Sequence, residues 1–504
     1  MKFLPGLLLS GSFLFSFAQK RPDPLPYSRV ITTDSLKTHL YRLAGPEFEG
    51  RETARPGQQK AAAYIEDYFR LLGLRPGNKD SFQMSFPVFQ DSLQSAELNV
   101  DGNTFRLYTD FDAPLSSNHD MAFGSSEIVY AGYGLSDSTR DDYRGLDVAG
   151  KIALVMDGYP PGYVQKITGK SKFNGYAKWD AAQLHGAAAL FIIQHNFPRK
   201  PATEYGMMYR ELYRPKVRPN AFYISEKLAG AILKTDTSGL RSGTLTPKKY
   251  RADIWVSFRK KTLFLQSTNV LGWLEGTDRK EEFLVISAHY DHLGKKDSVT
   301  YFGADDDGSG TVALLQLAAA FSKAARAGAR PRRSIIFLAN SGEEKGLWGS
   351  EYYTSHPVYP LDSTTANLNI DMIGRKDPSR KSGDSNNYVY IVGDDKLSSD
   401  LHTISVTTNG KYTGLELDYK FNDPKDPLKI YTRSDHFNFA KRGVPIIFYF
   451  DGINSDYHRP SDTPDKIDYE LMLKRTRLVF FTAWEMANRK DILKRDYPPV
   501  NAER

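Results

Sequence analysis

The sequence predicts an α/β protein: a mostly parallel mixed sheet flanked by helices, with a β-rich domain inserted into it. Three observations carry this. From about residue 262 onward strand and helix patterns alternate, the order that builds a parallel sheet with crossover helices. The strands in that stretch are continuous apolar runs (FLVISAH, SIIFLAN, NLNID, YVYIVG and PIIFYF), which suit a sheet covered on both faces. Residues 96–258 have a different texture, with short β-like runs such as AELNV, KIALVMDG and ALFIIQHN between turns and one helical stretch, YAKWDAAQLHG.

Taken in order, the chain opens with MKFLPGLLLSGSFLFSFAQK. Lys2 supplies a positive start, residues 4–17 an apolar stretch, and Ser16-Phe17-Ala18 small residues at the spacing of signal-peptidase cleavage after Ala18. Pro5, Gly6 and Gly11 interrupt the run and leave it short for a membrane span. Residues 1–18 therefore read as a signal peptide and the protein as secreted or periplasmic. No other stretch reaches about 18 apolar residues, so no transmembrane helix is expected. In residues 19–95, SLKTHLYRLAG reads as a helix capped by Asp34 and Ser35. QQKAAAYIEDYFRLLG reads as a second helix stopping at Gly73. Residues 96–258 are the insert, and 259–504 complete the main domain, with long helices in TVALLQLAAAFSKAARAG and LMLKRTRLVFFTAWEMANR.

At 504 residues the chain exceeds what one core usually organises, and 40% hydrophobic with 25% charged residues is a globular composition. The absence of cysteine excludes disulfides, thiolate zinc sites, cysteine nucleophiles and lipid attachment behind the signal. Any metal must be held by His, Asp and Glu. The net charge of +7 is scattered in short clusters (259–261, 330–333), the pattern of a solvated basic surface rather than a nucleic-acid site. Nothing in the sequence sets an oligomeric state.

The polar residues fall on this scheme in a telling way. His289-Tyr290-Asp291 follows FLVISA, and Asp305-Asp306-Asp307 precedes a long helix. Glu343-Glu344 follows SIIFLAN, Asp371 ends NLNI, and His458 lies beyond IIFYF. Four of these five segments sit at the carboxyl end of a predicted strand or on the turn beyond it, the edge where open α/β sheets build sites. Two imidazoles and three carboxylates can hold two Zn²⁺ ions, one carboxylate bridging. Asp306, Glu344 and Asp371 would offset three of the four positive charges, and the surplus favours bound hydroxide near neutral pH. Asp291 is placed to accept a hydrogen bond from the far nitrogen of His289. Of the adjacent glutamates, Glu344 is assigned to metal and Glu343 to proton transfer. His292 is the alternative to His289 as a ligand. Six further histidines, His39, His119, His185, His195, His356 and His402, read as structural. The contiguous aspartates lack the spacing of a calcium loop, and no H-E-x-x-H or G-x-S-x-G motif is present. Gly308-Ser309-Gly310 reads as the turn into its helix.

The ordered set SAHYDHLG, GADDDGSG, NSGEEKGLWGS, NIDMIG and YHRPSDT resembles the co-catalytic dizinc aminopeptidase and glutamate carboxypeptidase family (clan MH), whose fold is of the zinc-exopeptidase, phosphorylase/hydrolase-like type. EGRETARPGQQKAAAYIEDYF resembles the opening segment of that family. GYGLSDSTRDDYRGLDVAGKIALVMDG resembles the protease-associated domain inserted in many members. The resemblance implies a zinc peptidase domain in 19–95 and 259–504. It implies two Zn²⁺ ions, with His289 and Asp371 on one, Glu344 and His458 on the other, and Asp306 rather than Asp305 bridging. It places Ser434, Asp435 and His436 just behind the metal ligands or in the substrate pocket, with Arg433 beside them, and Tyr457 where some members steady an oxyanion. The implied activity is hydrolysis of a peptide substrate, most simply removal of N-terminal residues. A carboxypeptidase using Arg433 or Arg375, a one-zinc glutaminyl cyclase, and a non-catalytic transferrin-receptor-like binding protein are the alternatives.

Overall fold

A computed structural model of the chain describes residues 22–116, 118–163, 174–201, 204–213, 216–241 and 245–498. The expected signal peptide lies outside the described residues. Within them the chain forms two compact units, one drawing on the chain up to Ser85 and from Ser267 onward, the other on residues 86–266. Among the described residues no helix is long and apolar enough to cross a membrane.

The first unit begins with helices α1 (Thr33–Leu43) and α2 (Pro56–Leu71). The cap of α1 is Thr32, not Asp34 or Ser35. Thr32 is extended (φ −128°, ψ 155°) and its hydroxyl accepts the Ser35 N–H, while Asp34 and Ser35 lie inside the helix. Pro56 opens α2, where its fixed φ and missing N–H cost nothing.

In the second unit, strands β1 (Met121–Tyr130), β2 (Ile152–Met156), β3 (Ala189–Gln194) and β4 (Asn220–Ser225) are parallel neighbours in that order. Helix α3 (Asn174–Leu184) and helix α4 (Glu226–Leu233) bury apolar residues in two separate clusters. The segment is thus a small α/β unit with its own core.

The chain then enters the long strand β5 (Lys248–Leu274), whose last residues Val270–Leu274 lie in the first unit, antiparallel to β7 below. There follow β6 (Arg279–His289), α5 (Gly310–Arg326), β7 (Arg333–Asn340), α6 (Trp348–Ser355) and β8 (Thr364–Ile370). Next come β9 (Tyr388–Val392), α7 (Ser399–Tyr412), α8 (His436–Lys441), β10 (Ile446–Phe450) and α9 (Tyr469–Asn488). Strands β7, β6, β8 and β10 are parallel neighbours in that order; β9 joins β10 antiparallel.

The continuous apolar runs are explained by this layering. On β6, Leu284, Ile286 and Ala288 face one cluster together with Val312, Leu315 and Phe321 of α5 and Phe480 of α9. Phe283 and Val285 face a second cluster with Tyr353 of α6 and Phe439 of α8. With period-two side chains and both faces dry, apolar residues are favoured at successive positions, and the buried polar exceptions Ser287 and Asn369 pair with each other.

One buried cation ties the early segment to the strand ends. The turn before α2 carries left-handed Glu49, Gly50 and Arg51 (φ 53°, 68° and 54°). A Cβ on Gly50 would run into the carbonyl oxygens of Gly294 and Tyr301, so only glycine fits. The turn drives Arg51 fully inside, where its guanidinium donates to the carbonyls of Tyr290 (2.7 Å), Leu43 (2.9 Å), Phe302 (2.7 Å) and Gly303 (2.8 Å). Burial brings its pKa down to about 10, against the pull of Asp291, Asp462, Asp306 and Asp307. Arg51→Met should strip a donor from four carbonyls, of which Gly303 alone keeps another N–H, and lower the unfolding free energy by about 3 kcal/mol or more. Urea unfolding measures this, and an unchanged midpoint would contradict the clamp.

Candidate metal centre

The strand order of the first unit brings the five polar segments to one edge. His289 is the last residue of β6, Asp371 follows β8, Glu343 and Glu344 lie on the turn after β7, and Asp306 lies on the turn into α5. His458 reaches the same place from the loop after β10, on a left-handed backbone (φ 56°).

Asp306 is the centre of the cluster, and its two oxygens face different partners. Oδ1 is 3.4 Å from His289 Nε2, which is also 3.4 Å from Asp371 Oδ1. Oδ2 is 3.0 Å from His458 Nε2, which is also 3.1 Å from Glu344 Oε2. Two half-sites therefore share one carboxylate.

The flanking aspartates are staples. Asp305 accepts from the N–H of Gly374 (2.8 Å), the Ser309 hydroxyl (3.2 Å) and the Asn454 amide (2.9 Å). Asp307 accepts from the N–H groups of Gly310 (2.9 Å), Met372 (3.0 Å) and His289 (3.2 Å). Asp462 accepts the N–H groups of Asp305 and Asp306 at 3.0–3.2 Å. With Asp305 and Asp307 spent on backbone donors, Asp306 alone of the three faces the histidines. Ser309 donates to Asp305 and stands at the start of α5, the turn position expected for it.

Electrostatics separates the two glutamates. Burial and Asp306 push the Glu344 carboxyl up, but His292 and His458 prevail and hold it below its usual range. Burial pushes Glu343 well above the carboxylate range; His289 opposes this, while Asp371, Glu344 and Asp435 add to it. Glu343 Oε2 stands 4.0 Å from His289 Nε2, at the limit of ion-pair contact. It lines a pocket with Asp306, Asp371, Met372, Ile430, Arg433, Phe448, Phe450, Ile453 and Tyr457. Burial pulls His458 down, but Asp306 and Glu344 outweigh it and raise its pKa to about 10.

One expectation is corrected in detail. The far nitrogen of His289 meets the backbone carbonyl of Asp291 at 3.2 Å, and the Asp291 carboxylate is 3.8 Å away. That carboxylate is already engaged, accepting from the Thr53 hydroxyl (2.7 Å) and the Glu343 N–H (3.2 Å). His436 does not line the pocket but sits behind Phe448 of its wall, one of the two positions expected for it. Its ring stacks on Phe448 and its Nε2 meets the Tyr431 carbonyl at 2.9 Å. Arg433 and Tyr457 do reach the pocket, joined by a 3.1 Å hydrogen bond, and Tyr457 stacks on His458. Asp435 is buried, and burial with Asp291 and Asp371 nearby lifts it to about 7 despite His289.

Sequence reasoning missed two contributors. Thr53 comes from the opening segment, far from any strand end. His292, weighed only as a substitute for His289, sits with Nδ1 2.6 Å from Glu344 Oε1. The second His of HYDH was the available sign.

The arrangement fits metal ions. Buried His289 Nε2 and Asp306 Oδ2 make no hydrogen bond despite their close neighbours. Nitrogen and oxygen donors converge in two groups, His289–Asp306–Asp371 and His292–Asp306–Glu344, with His458 beside the second. Imidazole with carboxylate and no thiolate is a donor set that zinc accepts.

Comparison with known proteins agrees with this geometry. The chain is similar to a probable leucine aminopeptidase of Arthroderma otae, 31% identical over 216 residues, or 42% of this chain and 55% of that protein. It is also similar to leupeptin-inactivating enzyme 1 of Streptomyces exfoliatus, 34% identical over 172 residues and 34% of each chain. The match thus spans about half the length of the leucine aminopeptidase. Among solved structures, the aminopeptidase from Aneurinibacillus sp. strain AM-1 has 21% identity and a TM-score of 0.55, covering 95% of this chain and 100% of that one. BSAP, a zinc aminopeptidase from Bacillus subtilis, has 20% identity and a TM-score of 0.51, covering 91% and 96%. These two likenesses establish the α/β fold. The family model described as Peptidase family M28 matches residues 269–483, the stretch that holds His289, Asp306, Glu343, Glu344, Asp371 and His458. By that match residues 269–483 are similar to peptidase family M28.

Proposed function

We propose that the protein is an exported dizinc aminopeptidase. The observation that carries this reading is the division of Asp306 between two half-sites, with Glu343 beside them on the open pocket. His289 and Asp371 would hold one Zn²⁺, Glu344 and His458 the other, and Asp306 both. When bound, the metal pair supplies Lewis acidity and lowers the pKa of water toward neutrality. Glu343, free of ligand duty, takes the proton of the attacking water and passes it to the leaving amine. Tyr457, held by Arg433 and stacked on His458, is placed to donate to the developing oxyanion. Thr53 and the Glu343 N–H fix Asp291, whose carbonyl orients His289.

The pocket walls suit an apolar side chain at the residue released, since Met372, Ile430, Phe448, Phe450 and Ile453 line it. Arg433 is the one feature that favours a carboxypeptidase, because it places a guanidinium at the same pocket. Residues 96–258 are read as a protease-associated insert and residues 1–18 as the export signal.

Glu343→Gln should retain about two zinc ions per chain and lose roughly 10³-fold in turnover. Metal analysis with steady-state kinetics checks this, and near-normal activity would remove Glu343 from proton transfer. On short peptides with an apolar first residue, acetylating the amino end should abolish cleavage while amidating the carboxyl end leaves it intact. The opposite pattern would make the enzyme a carboxypeptidase. Returning zinc to chelator-treated protein should raise the melting temperature, because metal binds only the folded cluster and relieves its crowded carboxylates. An unchanged melting temperature at saturating zinc would count against the site.

A further inference from the structure

His292 is fully buried, with Nε2 unpartnered and Nδ1 committed to one neighbour. Its backbone N–H donates to the Arg51 carbonyl at 3.2 Å. Its ring packs close to Gly303, where a Cβ would come within 2.5 Å of the ring carbons. This packing aims Nδ1 at Glu344 Oε1, 2.6 Å away. A carboxylate only accepts, so Nδ1 carries the proton and donates it. The other carboxylate oxygen, Oε2, faces His458 at 3.1 Å. Two ligands of one tetrahedral zinc, each about 2.0–2.1 Å from it, stand roughly 3.3 Å apart, so a 2.6 Å pair is a hydrogen bond and not a pair of ligands.

Building on the dizinc reading, we propose that His292 is the positioning residue of the Glu344 half-site. It occupies Oε1 so that Oε2 alone is presented, in one orientation, to the ion shared with His458 and Asp306. The two half-sites are unequal in a way that explains the need. On one side His289 terminates a central strand and is itself steadied by the Asp291 carbonyl. On the other, both donors come from turns: Glu344 follows Gly342 in the turn beyond β7, and His458 is 37% exposed on a loop. The hydrogen bond from a packed, buried ring substitutes for the rigidity that a strand gives the first side.

The test is zinc affinity measured ion by ion, by chelator competition on the full chain, with Leu, Gln and Asn at position 292. His292→Leu should weaken one of the two ions by about 10–100-fold and leave the other unchanged. His292→Asn, whose amide nitrogen falls where Nδ1 stands, should stay within about 3-fold of the parent. His292→Gln, whose amide reaches the position of Nε2, should behave like the Leu variant. Adding His292→Leu to Glu344→Gln should cause no further loss, because the effect runs through Glu344. Equal behaviour of the Asn and Gln variants, loss of both ions together, or full additivity with Glu344→Gln would each overturn the proposal. If the Leu variant does not fold, the Asn and Gln pair decides. A parent protein that binds no zinc would defeat the dizinc reading itself. A parent that binds two, beside a His292→Leu variant that binds two equally well, would defeat only the role of His292.

Discussion

The constraint on which this structure turns is the burial of acidic groups side by side. Asp291, Asp305, Asp306, Asp307, Asp371, Asp435 and Asp462 are all buried at one edge of the sheet, joined by the largely enclosed Glu343 and Glu344. Carboxylates removed from water are costly unless paired or hydrogen-bonded. The fold answers in three ways. Asp305, Asp307 and Asp462 are given backbone N–H donors, which also fix the turn that presents Asp306. Arg51 brings a permanent positive charge close by while spending its own donors on carbonyls. Asp306, Asp371 and Glu344 face imidazoles across short gaps that a cation would fill. Stability and function draw on the same arrangement, since His289 Nε2 and Asp306 Oδ2, left without hydrogen bonds by the protein, are among the groups that can hold metal.

Much of this was legible in the sequence because it follows from periodicity. Apolar runs such as FLVISAH and SIIFLAN are strands covered on both faces, and a strand that ends on a polar residue delivers it to the sheet edge. His289 and Asp371 were therefore readable one at a time. The insert was readable as a change in texture, although the parallel order of its central strands was not. The antiparallel placement of YVYIV was hidden too, because a buried strand looks the same in either direction.

What sequence could not reveal depends on orientations set by distant partners. Asp291 was expected to engage His289 through its carboxylate, yet Thr53, 238 positions away in the chain, takes that group and leaves the carbonyl to do so. His436 adjoins Asp435, but the start of a helix turns one toward the acidic cluster and the other onto Phe448. The choice between Asp305 and Asp306 rested on resemblance alone; in the structure it rests on which carboxylate is already occupied by N–H groups.

The buried guanidinium has a consequence in time. Its carbonyl acceptors at Tyr290 and Gly303 lie 239 and 252 residues further along the chain. At a synthesis rate of ~5–20 residues per second, Arg51 leaves the ribosome roughly ten to fifty seconds before its partners exist. During that interval helices α1 and α2 carry an apolar face with no sheet to cover it, while the intervening unit has a core of its own to form. The early segment is a half-interface held in waiting, and the nascent chain is most exposed to aggregation or to a holding chaperone before β6 arrives.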